Sequence, residues 1–384
     1  MDFKFNEEQK AILEVVKEFI KYEIEPHVEE IQATDQPPKD LFKKAGEAGI
    51  IGIAMPEEYG GLGQSYETLT AAFEEIAKVA PGSVISFSTT LAGVNIIRHY
   101  GTEEQKAKYM EPVIAGELVT SMAFTEPETG SDPRQLSTVA REEGDKVILN
   151  GSKRFITNAG LPGPMIIYAK EADTGLCSAY IIDKFCDGYS LSTPWEKIGT
   201  KGSPVYDVFL DNVTIPATNR IGEKGEGFTI LLSESAVGKL AHAAASLGMM
   251  EACRDYAIRY ASEKLHRGKP ITKFQAIQLK IAKICELTES VRWMTYYCSH
   301  LADIDQSDPE FQAYASLTKA RAADTVVEVA FAAMNIMGSY GPMKEYNVER
   351  FFRDASMEGH VEVVSDVQRV IAANYYIKKV MNSL

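Results

Sequence analysis

The segments Lys146-Val-Ile-Leu-Asn150 and Val205-Tyr-Asp-Val-Phe-Leu210 decide the fold, because they are short, β-rich runs that lie between long helical regions. Two further runs, at 165–170 and 179–183, have the same texture, and glycine, proline, asparagine and aspartate separate all four. No helical crossover lies between the runs, which argues against a Rossmann sheet. We therefore predict a compact β domain.

Helical patterns flank these strands on both sides. Asn6 and Gln9 have the spacing of a capping box, and apolar residues then recur at helical spacing. Long stretches rich in alanine, leucine and methionine follow the β region and indicate a helical bundle. The predicted class is mainly α with a central β domain. Its domains are N-terminal helical, central β and C-terminal helical bundle, at residues 1–119, 120–228 and 229–384.

Composition excludes several classes of function. The net charge of −14, with no cluster of basic and aromatic residues, predicts that the chain binds no nucleic acid. The charged start of the chain and the lack of any run of eighteen apolar residues predict a cytoplasmic protein without membrane insertion. The five cysteines are widely spaced and lack zinc-type histidine partners, so no metal site is expected.

Seven short blocks follow one another along the chain: Pro56–Gly63, Phe124–Asp132, Leu149–Asn158, Gly222–Phe228, Gly268–Gln275, Arg353–Ala355 and Gln368–Arg369. In this order they resemble the acyl-CoA dehydrogenase family nearly end to end. The resemblance implies a helical domain, a β-barrel and a four-helix bundle, assembled as a homotetramer. It also implies that FAD binds between the β domain and the bundle, with part of the site supplied by a neighbouring subunit.

The block at 124–132 has the chemistry to hold a flavin. Thr125 and Ser131 offer hydroxyl groups, and Gly130 allows a planar ring to approach the main chain. An ordinary polar turn is the alternative for this block, and core packing is the alternative for Phe155. The resemblance places these residues at FAD: Met122, Phe124, Thr125, Gly130, Ser131, Phe155, Thr157, Lys264, Arg267, Asn335, Gly338, Ser339, Val364 and Asp366. It also places Ser131 and Lys239 at the substrate.

Glu362 is the candidate general base. Removal of a weakly acidic α-proton needs a positioned carboxylate, and the family pattern counted from Arg353 places its catalytic glutamate here. Burial among the neighbouring valines would strengthen it as a base. The alternative interpretation is a solvated acidic residue that starts the last helix. In the family, the hydride from the β-carbon passes to flavin N5, and the backbone N–H of the glutamate polarises the thioester carbonyl.

Several positions depart from the family pattern. Val363-Val364 replaces the common Gly-Thr after the base, and Lys264 and Arg267 replace an arginine and a phenylalanine at FAD. The Asp-x-x-Arg motif that steadies CoA maps to Ala236 and Lys239, so its carboxylate is missing, and Lys239 has a helix-surface cation as its alternative interpretation. Gly238 occupies a position from which some family members present their base.

The resemblance implies FAD-dependent α,β-dehydrogenation of an acyl-CoA, with electrons delivered to an electron-transferring flavoprotein. An enoyl-CoA reductase would use the same residues in reverse, because both directions share one transition state. An acyl-CoA oxidase and a non-catalytic scaffold that has lost its flavin are the further alternatives.

Overall fold

The computed structural model describes residues 4–130 and 135–383, and the described chain begins with a helical domain. Asn6 and Gln9 form the predicted capping box, and Thr102 and Gln105 form a second one. The helices of this domain are α1 (Glu7–Phe19), α2 (Val28–Thr34), α3 (Leu41–Glu47), α4 (Tyr66–Ala77), α5 (Pro81–Tyr100) and α6 (Glu103–Ile114).

A sheet of eight strands forms the middle of the chain. The strands are β1 (Ser121–Ala123), β2 (Val139–Glu143), β3 (Lys146–Thr157), β4 (Pro164–Glu171), β5 (Cys177–Asp183), β6 (Tyr189–Leu191), β7 (Val205–Pro216) and β8 (Arg220–Ile221). Their order is β6-β7-β3-β2-β4-β5-β8, and β1 lies parallel to β4. Side chains from one face, including Leu149, Ile167, Ile182 and Val208, pack together as a single core, so the sheet wraps around them as a barrel does.

The C-terminal region is a bundle of long helices joined by a small hairpin. Its elements are α7 (Gly227–Glu263), β9 (Leu265–His266), β10 (Lys269–Pro270), α8 (Gln275–Ile304), α9 (Pro309–Met337), α10 (Val348–Glu358) and α11 (Ser365–Met381). Helix α7 packs against α4 and α5 on one side and α8 and α9 on the other. A Cβ at Gly248 would lie 2.2 Å from the carbonyl oxygen of Glu74, so glycine permits the close approach of α7 to α4.

The observed order of helical, β and helical regions confirms the predicted fold class. The first strand begins at Ser121 and the first helix of the bundle at Gly227, while the domain limits themselves stay a prediction. Within the described ranges, no helix is both long enough and apolar enough to cross a bilayer.

Candidate active site

Glu362 lies in the short loop between α10 and α11, at the centre of a very tight turn. The Val363 N–H donates to the Val361 carbonyl oxygen at 2.8 Å, and Glu362 has φ of +63°. A bond between residues two apart around a positive φ is a γ-turn of the rare, strained form. Because α11 begins only at Ser365, the interpretation of Glu362 as the first residue of that helix is wrong.

The Glu362 side chain reaches across to α7. A Cβ at Gly238 would lie 3.4 Å from Oε1 of Glu362 and 3.5 Å from Oε2. The residue is exposed, as the solvated interpretation expected, so the expected burial among the neighbouring valines is wrong. A ligand can therefore reach the carboxylate. Glycine at 238 therefore leaves the space in which the carboxylate lies.

Lys319 of α9 binds this loop through hydrogen bonds from its ammonium group. Its ammonium donates to the carbonyl oxygens of Glu358, Val361 and Val363, each at 2.8 Å. The residue is 1% exposed. Burial lowers the pKa of Lys319, and the carboxylates of Glu358 and Glu362 oppose that shift.

Lys239 is buried near Glu362, so its interpretation as a helix-surface cation is wrong. It is 3% exposed on α7, directly after Gly238. Burial lowers the pKa of Lys239, while the Glu362 carboxylate raises it and the ammonium of Lys319 lowers it further. The Glu362 carboxylate thus lies near two buried amino groups. A role for Lys239 in substrate binding stays a prediction.

A buried acid–histidine pair lies one helical turn from Gly238. His242 Nδ1 is 2.9 Å from Oε2 of Glu358, and Glu358 is fully buried. Its other carboxylate oxygen has no hydrogen-bond partner in the described part of the chain. A buried polar pair therefore lies at the end of α10, just before the loop that carries Glu362.

A small apolar cavity lies between α4, α5 and α7. From α7 it is lined by Val237, Leu240 and Ala241, which surround the position of Gly238 in sequence. The other walls come from α4 and α5: Tyr66, Leu69, Thr70, Phe73, Ser88 and Leu91. The lining is apolar, but its volume of about 10 Å³ is roughly that of a single water molecule.

The predicted flavin loop leaves β1 and is held by a buried ion pair. Lys153 Nζ lies 2.8 Å from Glu126 Oε1 and also donates to the carbonyl oxygens of Phe124 and Tyr168. Burial would raise the pKa of Glu126, but Lys153 and donors at 137–138 lower it to about 2. Residues 126–129 form a tight turn, as the polar-turn interpretation expected. Met122, Phe124 and Thr125 precede this turn and are half-buried.

Gly130 ends this turn, and a Cβ there would meet no described atom within 4 Å. Ser131, the next predicted residue, lies outside the described residues.

Phe155 offers an exposed aromatic face on β3. A β-bulge follows Lys153, where Phe155 has φ of +59° and is 52% exposed. Its ring lies 5.4 Å from that of Trp195, which is 42% exposed. The interpretation of Phe155 as a core-packing residue is therefore wrong. Thr157 lies two residues further along the same strand and is half-buried.

A separate group of predicted cofactor residues lies at the far end of α7. Lys264 Nζ is 5.1 Å from the ring centre of Tyr340, next to Gly338 and Ser339. Arg267 is an exposed residue in the β9–β10 turn, and Asn335 is exposed on α9. Lys264 follows Gly238 by 26 residues of helix, about 39 Å at 1.5 Å per residue. The structure does not bring this group together with Glu362 within one chain.

Two other predicted residues lie beside the base loop. Val364 immediately precedes α11 and is half-buried. Asp366 is exposed in the first turn of α11, where its carboxylate pairs with Arg369 at 3.1 Å.

The described residues fit FAD. Two exposed aromatic rings, Phe155 and Trp195, present apolar surface that a planar ring could cover, and the space at Gly130 leaves room for close approach to the main chain. Lys264 and Arg267 supply exposed cations suited to a pyrophosphate, at the remote group.

Three family models cover most of the chain: the acyl-CoA dehydrogenase N-terminal domain matches residues 6–117, the middle domain 121–213 and the C-terminal domain 225–376. A 3-(aryl)acrylate reductase of Clostridium sporogenes is 35% identical over 380 residues, which are 97% of this chain and 100% of that protein. The chain belongs to the acyl-CoA dehydrogenase family. It is an oxidoreductase of this family, with FAD as its cofactor.

Two other acyl-CoA dehydrogenase family members show the range of relatives. The caffeyl-CoA reductase-Etf complex subunit CarC of Acetobacterium woodii is 33% identical, over 98% of this chain and 100% of that protein. The structure of butyryl-CoA dehydrogenase from Megasphaera elsdenii matches with a TM-score of 0.94 at 30% identity, over 98% of this chain and 100% of that one. Reductases and dehydrogenases thus share this fold.

Sequence reasoning assigned no role to Lys319, His242, Trp195 or the Lys153–Glu126 pair. A signal was present for Lys319, because positions 315, 316, 322 and 323 form the buried face of α9 and a lysine at 319 falls on that face. His242 likewise interrupts a run of alanines. Their partners are distant in sequence, so no local pattern could reveal them.

Proposed function

We propose that this enzyme interconverts an acyl-CoA thioester and its α,β-unsaturated enoyl-CoA, with Glu362 carrying the α-proton. The observation that carries the proposal is the position of the Glu362 carboxylate, which is exposed to ligand and faces Gly238 of α7. A thioester bound over Gly238 would place its α-carbon at the carboxylate. When bound, FAD accepts the hydride that leaves the β-carbon, or donates it in the reverse direction.

The main chain at Glu362 supports polarisation of the thioester. Among the described residues, no acceptor receives the N–H of Glu362, because the γ-turn uses the N–H of Val363 instead. A free N–H next to the base can donate to the thioester carbonyl oxygen as negative charge builds up on it. The same residue would thus remove the proton and stabilise the resulting charge.

The direction of the reaction has two candidates. Dehydrogenation is the first, and the structural similarity to butyryl-CoA dehydrogenase supports it. Reduction of an enoyl-CoA is the second, and two reductases at 35% and 33% identity favour it. Glu362 donates the proton to the α-carbon in that direction.

An electron-transferring flavoprotein is the proposed redox partner in both cases, in keeping with the name of the caffeyl-CoA reductase-Etf complex. A cytoplasmic location stays a prediction.

We also propose that two copies of the chain complete each cofactor site within a homotetramer. The cations Lys264 and Arg267 lie about 39 Å along α7 from the base, too far to share one flavin ring with it. A neighbouring copy that presents this remote group would supply the contacts to the pyrophosphate and adenine. Asn335, Gly338 and Ser339 belong to the same proposed contact.

The direct test is anaerobic titration of the yellow holoenzyme with a panel of acyl-CoAs that differ in chain length, branching and aromatic substitution. We expect at least one to bleach the flavin absorbance, and the matching enoyl-CoA to reoxidise the reduced enzyme. A holoenzyme that no acyl-CoA bleaches and no enoyl-CoA reoxidises would contradict the proposal. The same panel, repeated in air, separates a dehydrogenase from an oxidase, since an oxidase turns over with oxygen alone.

A further inference from the structure

The strained backbone at Glu362 needs support from outside its own loop. A residue other than glycine with φ of +63° in a γ-turn costs roughly 1–3 kcal/mol, and one short bond between Val361 and Val363 closes the turn. Without further contacts, the loop would relax toward negative φ and turn the carboxylate away from Gly238. Some other group therefore keeps the base in place.

Lys319 supplies the contacts that the loop lacks. Its three ammonium hydrogens match three carbonyl oxygens, those of Val361 and Val363 on either side of Glu362 and that of Glu358 at the end of α10. A cation also suits the unpaired carbonyls at a helix C-terminus. The amino group is carried by α9, whose buried face packs on α7, the helix of Gly238. One side chain thus fixes the loop relative to the helix that the carboxylate faces.

We propose that Lys319 is a positioning residue for acid–base chemistry at Glu362. It holds the γ-turn in the strained form that directs the carboxylate toward the substrate α-carbon and leaves the Glu362 N–H free. Since a misplacement of about 1 Å can cost about 10²-fold in rate, loss of this hold slows proton transfer more than it weakens binding. This inference rests on the proposed function, because it assumes that Glu362 carries the α-proton.

The test isolates proton removal from hydride transfer. A 3-thia-acyl-CoA, in which sulfur replaces the β-carbon, can lose its α-proton but has no β-hydride, and its enolate gives a long-wavelength charge-transfer band with oxidised flavin. We expect the wild-type holoenzyme to develop this band. Lys319→Met should bind the analogue with a Kd within about threefold of wild type and develop a band at least about tenfold weaker at the same pH. Lys319→Gln keeps a polar side chain but loses the third donor and the charge. If Lys319→Met does not retain FAD, the same Kd and band intensity are measured with Lys319→Gln.

Lys197→Met is the matched control. Lys197 is also a buried lysine that donates to backbone carbonyls, those of Thr200 and Ser203, and it pairs with Asp35 instead of bonding to the Glu362 loop. We expect it to lower thermal stability and to keep the band. A wild-type band in both Lys319 variants, or equal loss of the band in Lys197→Met, would overturn the positioning role. A wild-type enzyme that binds the analogue without any band would instead refute the role of Glu362.

Discussion

The carboxylate of Glu362 lies against the backbone of Gly238, with Oε1 only 3.4 Å from the place that a Cβ would take. The two residues are 124 positions apart and belong to different helical segments. Their contact sets the position of the candidate base relative to α7. The expected behaviour of variants at positions 362 and 238 follows from this arrangement.

Glu362→Gln should abolish proton transfer while the fold and FAD remain. An amide cannot accept the α-proton, so we expect flavin reduction by the best acyl-CoA to slow by about 10³-fold or more. Stopped-flow absorbance measures this rate. Glu286→Gln is the control, because that glutamate is 73% exposed on α8 and should react as wild type does. Near-normal reduction in Glu362→Gln would remove the general base from the mechanism.

The size of the residue at 238 should decide how well the base is placed. Gly238→Ala adds a methyl group at ordinary contact distance, so kcat should change only a few-fold. Replacing a helical glycine by alanine should also stabilise the protein by about 0.5–1 kcal/mol. Gly238→Leu should displace the carboxylate and lower kcat about 10²-fold with FAD still bound. Equal activity in the Ala and Leu variants would argue against the contact.

The buried Lys153–Glu126 pair should be essential for the flavin loop. Removal of one partner leaves an uncompensated buried charge, so Lys153→Met should lower the free energy of unfolding by about 3–5 kcal/mol and reduce bound FAD. Urea denaturation and the flavin-to-protein absorbance ratio report the two effects. The double variant Lys153→Met, Glu126→Leu should be more stable than Lys153→Met alone. If it is less stable, the unpaired charge is not the cause.

Glu126 should also make stability depend on pH. Its pKa in the folded protein is about 2, below the ordinary 4.5, so the unfolded chain takes up the proton first on acidification. The stabilisation is complete above about pH 5 and is lost as the pH falls toward 2, by about 3 kcal/mol for this group. Urea unfolding from pH 6 to pH 3 measures the slope, and Glu126→Gln should flatten it. An unchanged slope in that variant would assign the dependence to other groups.

Phe155 should contribute apolar contact to the cofactor. Phe155→Ala removes a half-exposed ring next to Trp195, and we expect the Kd of FAD to rise about tenfold, in line with about 1 kcal/mol or more for an aromatic stacking contact. Phe185→Ala is a close control, because Phe185 is also an exposed phenylalanine with a positive φ, at +65°, in the same domain. Titration of the apoprotein with FAD measures both. Equal losses in the two variants would exclude a specific contact at Phe155.

Local sequence patterns predicted the fold well for a physical reason. Helical periodicity, the capping box at Asn6 and Gln9, and the β-rich runs all depend on neighbours within a few residues. The sequence could not reveal the β-bulge after Lys153 that exposes Phe155, because a bulge depends on pairing with β7. Likewise, sequence alone could not tell that Lys239 is buried, since burial of one helix face depends on what packs against it.

The sequence by itself determined the order of helical, β and helical regions, the family, and the residue types available for chemistry, including a glutamate at 362. The tertiary structure alone decided where that glutamate points. Lys319 binds three carbonyl oxygens around it, and Gly238 leaves space for its carboxylate. These contacts join residues that are 39 to 124 positions apart in the sequence. Contacts between distant segments are set by packing of whole helices, and that information is not carried by any local pattern.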